Sequence, residues 1–184
     1  MKPQLIIATL LFTATLSCQG VKTKDENQKT KMESFSSATG VITKFTDFNL
    51  KNLKASYTVA ETRIRKLSGG GNVNYFYQIE KTGKYSNSTC SIEYSDLLEL
   101  IKALEKLESD TDNDALSSAD YLENKFITPD GFELGYYIKE KKAKWYVKLE
   151  KYGKDTTLFI KEVSDIETAL ISAKEKIEQL KKQP

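Results

Sequence analysis

The 184-residue sequence has no histidine, only two cysteines and three prolines, and a single tryptophan. Without histidine there can be no Ser-His-Asp triad, no Cys-His pair and no histidine ligand for zinc. The 28 basic side chains nearly balance the 26 acidic ones, and a net charge of +2 gives no electrostatic case for nucleic acid. We therefore expect no metal, no cofactor and no nucleic-acid partner.

A long apolar run occurs only near the amino terminus. Lys2 precedes a mostly apolar segment from Leu5 to Leu16, and Ser17 and Cys18 follow. One positive charge, a short apolar segment and a small residue before the cleavage point are typical of a secretory signal peptide. The segment is shorter than the roughly 20 apolar residues that span a bilayer. We therefore expect an exported protein.

Leu16-Ser17-Cys18 resembles the lipobox of bacterial lipoproteins, although Thr15 stands where Leu or Val is usual. The resemblance implies that residues 1–17 are removed and that Cys18 is lipidated. The alternative is an ordinary secretory signal with an incidental cysteine. Residues 18–38 are polar, with little to bury, and predict a flexible tether. By the same resemblance, Gln19 favours the outer membrane, with the domain facing the periplasm or the cell surface.

Residues 39–184 are long enough for one domain with a hydrophobic core. Alternating apolar residues predict a series of strands, and two stripes at helical spacing predict two helices. We expect the first helix to begin at Ser95 and the second at a capping box of Ser164 and Glu167, with an acidic loop over residues 109–118 between them. The stripes are Leu97, Leu100, Ile101, Leu104 and Leu107, then Ile166, Leu170, Ala173, Ile177 and Leu180.

Two parts of the domain resemble each other. Residues 76–84 align with residues 146–154 at an offset of 70, and both contain Glu-Lys-x-Gly-Lys. Each stretch precedes a predicted helix. We predict an α+β fold with a single curved antiparallel β-sheet and two helices packed on one face. It would be built from two pseudo-repeated β-meander-plus-helix halves, about residues 56–109 and 118–182.

Asp110, Asp112 and Asp114 have the spacing of calcium ligands in an EF-hand loop. However, Ala115 replaces the glycine of that loop, and Tyr121 replaces its closing glutamate. An acidic loop without metal is the favoured interpretation, and calcium binding is the alternative.

Cys90 and two glutamates are the remaining candidates for catalysis. Cys90 has no histidine base, which favours a role as a small buried apolar residue. Glu80 and Glu150 occupy equivalent positions in the two similar stretches. As an acid and base flanking one cleft, they would suit a hydrolase that uses carboxylates.

The predicted strands also carry aromatic residues that alternate with core positions. If Trp145 faces the helices, Tyr146 faces away from them. Exposed rings on a sheet are enriched where proteins bind partners. The alternatives are that the tether or the first strands cover these rings, or that they are ordinary cross-strand packing. The candidate binding residues are Phe76, Tyr137, Lys144, Tyr146, Lys148 and Phe159.

These features predict a membrane-anchored envelope lipoprotein that is not an enzyme. We expect it to act as a non-catalytic binding or protein-interaction module, with an aromatic and lysine-rich open sheet face as its binding surface. Its expected partners are the lipid bilayer, through acylated Cys18, and a protein or small ligand of the envelope. The alternative function is an envelope hydrolase that uses carboxylates.

Overall fold

The structure is a computed structural model that describes residues 29–84, 86–151 and 155–183. The predicted signal peptide, Cys18 and the tether up to residue 28 lie outside the described residues. The described part forms three helices and nine strands. In chain order these are α1 (Lys31–Ser36), β1 (Lys44–Asn49), β2 (Leu53–Lys54), β3 (Val59–Gly69), β4 (Asn72–Lys81), β5 (Ser88–Glu93), α2 (Tyr94–Ala115), β6 (Glu123–Ile127), β7 (Glu133–Lys139), β8 (Lys142–Lys148), β9 (Thr157–Ile160) and α3 (Val163–Lys181).

The strands form two open antiparallel sheets. Sheet 1 has the order β1-β3-β4-β5, with β2 also paired to β3, and sheet 2 has the order β6-β7-β8-β9. The α+β class and the antiparallel pairing are confirmed, but the prediction of a single sheet is wrong. One backbone hydrogen bond of 2.8 Å, from Ser56 N–H to the Phe159 carbonyl, joins the loop after β2 to β9. Strand pairing between the two sheets is absent from the described residues, because β5 leads directly into α2 and a separate meander follows.

One hydrophobic core lies between the two sheets and helices α2 and α3. Helix α2 contacts strands of both sheets, and α3 contacts β2, β3 and β9. Every residue of this core lies between Leu53 and Leu180. The predicted helical stripes are confirmed, except that Ile101 is only half-buried. The buried apolar residues are Leu97, Leu100, Leu104 and Leu107 in α2, and Ile166, Leu170, Ala173, Ile177 and Leu180 in α3.

The ends of both long helices differ from the predictions. Helix α2 begins at Tyr94, because the Glu93 carboxylate accepts the Ser95 N–H and caps the helix in place of Ser95. It continues through residues 109–115, which were predicted to be a loop. Helix α3 begins at Val163, and its N-cap makes no side-chain hydrogen bond. The predicted capping box at Ser164 is therefore wrong.

Cys90 on β5 is buried against the core, as predicted for a small apolar residue. Burial raises the pKa of the Cys90 thiol to about 12. The thiol therefore stays protonated at neutral pH, which makes it a poor nucleophile.

Helix α1 lies over part of the side of sheet 1 that points away from α2 and α3. Thr30 and Glu33 form a capping box that starts α1. The Gln78 side-chain amide on β4 contacts the Met32 sulfur at 3.5 Å. Phe76 is fully buried on the same side of β4, although it is outside the main core. Part of the predicted tether, up to residue 38, thus belongs to the folded domain.

Two hairpins have two-residue loops in the left-handed conformation. In the β3–β4 hairpin these residues are Gly70 and Gly71, with φ of +57° and +80°; in the β7–β8 hairpin they are Glu140 and Lys141, with φ of +53° and +57°. The left-handed conformation costs roughly 1–2 kcal/mol for each residue that has a Cβ. Hairpin loops of this type therefore favour Asn-Gly.

Replacing Glu140→Asn and Lys141→Gly should therefore stabilise the domain by about 1–2 kcal/mol. The free energy of unfolding in urea measures the effect. The matched variant Gly70→Glu with Gly71→Lys should lower stability by a similar amount. If the Glu140→Asn, Lys141→Gly variant and the wild type unfolded at the same urea concentration, this would contradict a left-handed loop at residues 140 and 141.

Candidate binding face of sheet 2

The strands of sheet 2 present alternate residues to α2 and α3 and to the opposite side. Trp145 belongs to the core, so its neighbour Tyr146 points away from the helices. Tyr146 lies opposite Phe159 on β9, and Tyr137 lies opposite Lys144 across β7 and β8. The predicted register of β8 is therefore confirmed. We call the side that carries these residues the open face of sheet 2.

Large apolar side chains are exposed on the open face of sheet 2. Tyr121, just before β6, is 66% exposed, Ile127 at the end of β6 is 50% exposed, and Phe159 is 44% exposed. Tyr137 on β7 also belongs to this face, and it is half-buried. Single exposed apolar residues are normal, but several on one face are characteristic of a contact surface.

Tyr146 lies on the open face but is buried, so the prediction of an exposed ring at this position is wrong. Only 7% of Tyr146 is exposed, and its hydroxyl donates to Glu123 Oε1 at 2.6 Å. Burial and this bond to a carboxylate raise the pKa of Tyr146. Opposite Tyr146 lies Gly135, where an added Cβ would come within 2.5 Å of the Asn124 carbonyl oxygen. This close approach of β6 explains why position 135 requires glycine.

A small charge network crosses the middle of the open face. Glu133 is buried, and its carboxylate oxygens lie 3.1 Å from Lys125 Nζ and 3.4 Å from Lys148 Nζ. The hydrogen bond to Glu133 raises the pKa of Lys125. Lys148, a predicted binding residue, is thus partly neutralised by Glu133. Lys144, another predicted binding residue, is exposed at the edge of this network.

Phe76, the sixth predicted binding residue, is separated from the other five. It lies on the corresponding side of sheet 1, two residues before Gln78, and it is fully buried. Placing Phe76 on an exposed aromatic surface is therefore wrong. Met32 in α1 contacts the same side of β4 at Gln78, and the polar residues around Met32 gave no sign of this contact in the sequence.

The acidic residues of the calcium alternative lie in the last turns of α2. Asp114 accepts a hydrogen bond of 2.6 Å from the Tyr136 hydroxyl, and Asp110 lies 2.5 Å from Lys106 Nζ. Burial and the bond to Asp114 raise the pKa of Tyr136 to about 12. Across the described residues, no three His, Cys, Asp or Glu side chains are grouped so that they could hold a metal ion.

Glu80 and Glu150, the carboxylates of the hydrolase alternative, both lie near Thr89 on β5. Glu80 is opposite Thr89 in the β4–β5 pair, and Glu150 Oε1 accepts the Thr89 N–H at 2.9 Å. Glu150 lines a cleft of about 1080 Å³ between α1, β5 and residues 129–132, and Glu80 does not. Arg63 binds Glu80 and lowers its pKa, which keeps it ionised and unsuited to act as a general acid.

Comparison with protein-family models, curated proteins and solved structures gives no significant match. Function must therefore be inferred from the residues of this chain. The described helices include none that is both long and apolar enough to cross a membrane.

Four residues named above on the open face were not singled out in the sequence. Ile127 in β6 and Tyr121 just before it follow the same two-residue alternation that located Tyr146 in β8, so that alternation would have found them. Glu123 and Glu133 have no local sequence signal, because their partners lie on other strands.

Proposed function

We propose that this chain is a lipid-anchored envelope protein that acts as a non-catalytic binding module through the open face of sheet 2. One contrast supports this most strongly. Tyr121, Ile127 and Phe159 are exposed together on sheet 2, whereas on the corresponding side of sheet 1 α1 covers the part around Gln78 and leaves Phe45 exposed. Several exposed apolar side chains on one face indicate a surface that a partner covers.

The lipid anchor is proposed from the residues that precede the described domain. Leu16-Ser17-Cys18 and the apolar segment before it support lipidation of Cys18 after export. Gln19 supports the outer membrane as its destination. The whole hydrophobic core begins at Leu53, so anchoring at Cys18 would leave it intact.

We further propose that the domain consists of two related halves. Each half is an antiparallel meander followed by a long helix. The left-handed loop residues Gly70 and Glu140 are separated by 70 positions, as are Phe76 and Tyr146 on the two corresponding sheet sides. On this view, α1 covers part of that side of the first half, and the partner binds the equivalent side of the second half.

The binding face is tested by replacing Tyr137→Ser and Phe159→Ser together. A photoreactive phenylalanine analogue at position 121 should form crosslinks to the partner in intact cells with the wild-type face. The double variant should lose these crosslinks while remaining folded, because each lost cross-strand pair costs only about 0.2–1 kcal/mol.

Leu116→Ser is the matched control, since Leu116 is exposed outside the open face. It should leave the crosslinks unchanged. Trp145→Ser should instead destabilise the domain, because Trp145 is in the core. Undiminished crosslinking by the double variant would show that the partner does not need this face.

A further inference from the structure

The open face of sheet 2 has a surplus of positive charge. The alternation places six lysines on or beside it, against Glu123 and Glu133. Glu133 is bonded to Lys125 and Lys148, and Glu123 accepts the Tyr146 hydroxyl. The other four lysines are exposed and form no ion pair within the described part of the chain. They are Lys139, Lys142, Lys144 and Lys161.

The opposite side of the domain has the opposite charge. Helix α2 contains seven acidic residues and two lysines, and α3 contains four acidic residues and three lysines. Both helices pack on the side of the sheets away from the open face. The charge separation would orient the open face toward an anionic surface.

The exposed side chains suit a membrane interface. Aromatic rings are enriched at the level of lipid headgroups, and lysines attract anionic lipids at about 1 kcal/mol each near the surface. On the open face, Tyr121 and Phe159 provide rings, Ile127 provides an apolar side chain, and the four lysines surround part of this group.

The chain enters the domain beside the turn between β6 and β7, where Lys31 Nζ also lies 2.6 Å from Asp96 in the first turn of α2. Met32 in α1 contacts sheet 1 away from α2 and α3. The Lys31 N–H donates to the Asp130 carboxylate, 3.1 Å away, in the turn between β6 and β7. Residues 19–28 span at most about 35 Å when fully extended. A lipid on Cys18 would therefore keep the start of α1 within about 35 Å of the bilayer.

From charge, exposed rings and chain entry together, we propose that the open face of sheet 2 docks on the anionic surface of the membrane that carries the lipid anchor. The proposal rests on the proposed function of this face and names its partner. Docking would fix the orientation of the anchored domain on the bilayer. The domain would then lie flat, with α2 and α3 facing away from the bilayer.

The test uses the chain from Gln19 onward, without lipid, which retains the whole core. It should sediment with vesicles of phosphatidylethanolamine and phosphatidylglycerol, but not with phosphatidylcholine vesicles, and high salt should release it. Replacing Lys142, Lys144 and Lys161 by glutamine should lower the partition coefficient by about two orders of magnitude, because each lysine contributes roughly fivefold.

The matched control replaces Lys102, Lys106 and Lys174 on the helices by glutamine, which gives the same net charge. These lysines form exposed ion pairs that add little to stability. This control should bind like the wild type, and fluorescence from buried Trp145 should show that both variants are folded. Equal loss in both triple variants would overturn the proposal, as would no binding to anionic vesicles.

The vesicle and crosslinking experiments together separate the two proposals. Crosslinks from position 121 to an envelope protein or polysaccharide, without vesicle binding, would overturn membrane docking and retain the binding face. Loss of both signals in the wild-type protein would overturn both proposals.

Discussion

Replacing Leu170 and Ile177 together by alanine should unfold the domain or leave it barely folded. Both side chains are buried on the core side of α3. Each truncation costs about 2–5 kcal/mol through lost burial and the cavity it leaves. A domain of this size has about 5–15 kcal/mol in total. Urea unfolding, followed by circular dichroism and Trp145 fluorescence, measures the loss.

The matched control replaces Glu167 and Glu175 by alanine. Both are exposed on the same helix, so the free energy of unfolding should change by no more than about 0.5 kcal/mol each. If the Leu170 and Ile177 variant unfolded at the same urea concentration as the wild type, α3 would lie outside the core. The packing of both sheets on α2 and α3 would then be wrong.

Cys18→Ala should release the protein from membranes washed with high salt. The proposed anchor depends on the Cys18 sulfur, and alanine offers no atom for lipid attachment. High salt matters because it also screens attraction between lysines and anionic lipids. The variant should remain folded, since its core begins at Leu53. Fractionation of cells, followed by detection of the protein in each fraction, measures the effect.

Cys90→Ala is the matched control, because Cys90 is the other cysteine and is buried in β5. It should remain fully membrane-associated, with at most a small loss of stability. Recovery of Cys18→Ala in the washed membrane fraction would show that another feature anchors the chain.

Local periodicity predicted much of the fold. The stripe around Leu170 located the core side of α3, because side chains three and four residues apart share one side of a helix. The two-residue alternation around Trp145 located the open face, because successive strand residues point to opposite sides. Both signals are contained within one element, and both are confirmed.

The features that were missed depend on contacts between distant parts of the chain. Whether β5 pairs with a strand of sheet 2 depends on which edges meet, and no local pattern specifies this. The contact between Met32 and Gln78, on the side of β4 that carries Phe76, joins residues more than 40 positions apart. The capping box of Thr30 and Glu33 was nevertheless readable as a helix start, and it would have shortened the predicted tether.

The hydrogen bond between Glu150 and the Thr89 N–H has a consequence for how copies of the protein behave beside one another. Thr89 is on β5, the edge strand of sheet 1, and unpaired edge groups can template strand addition from a neighbouring molecule. Lipid anchoring would confine many copies to one surface and raise their encounter rate. Because the Glu150 carboxylate already accepts the Thr89 N–H, this N–H cannot bond to a strand added from a crowded neighbour.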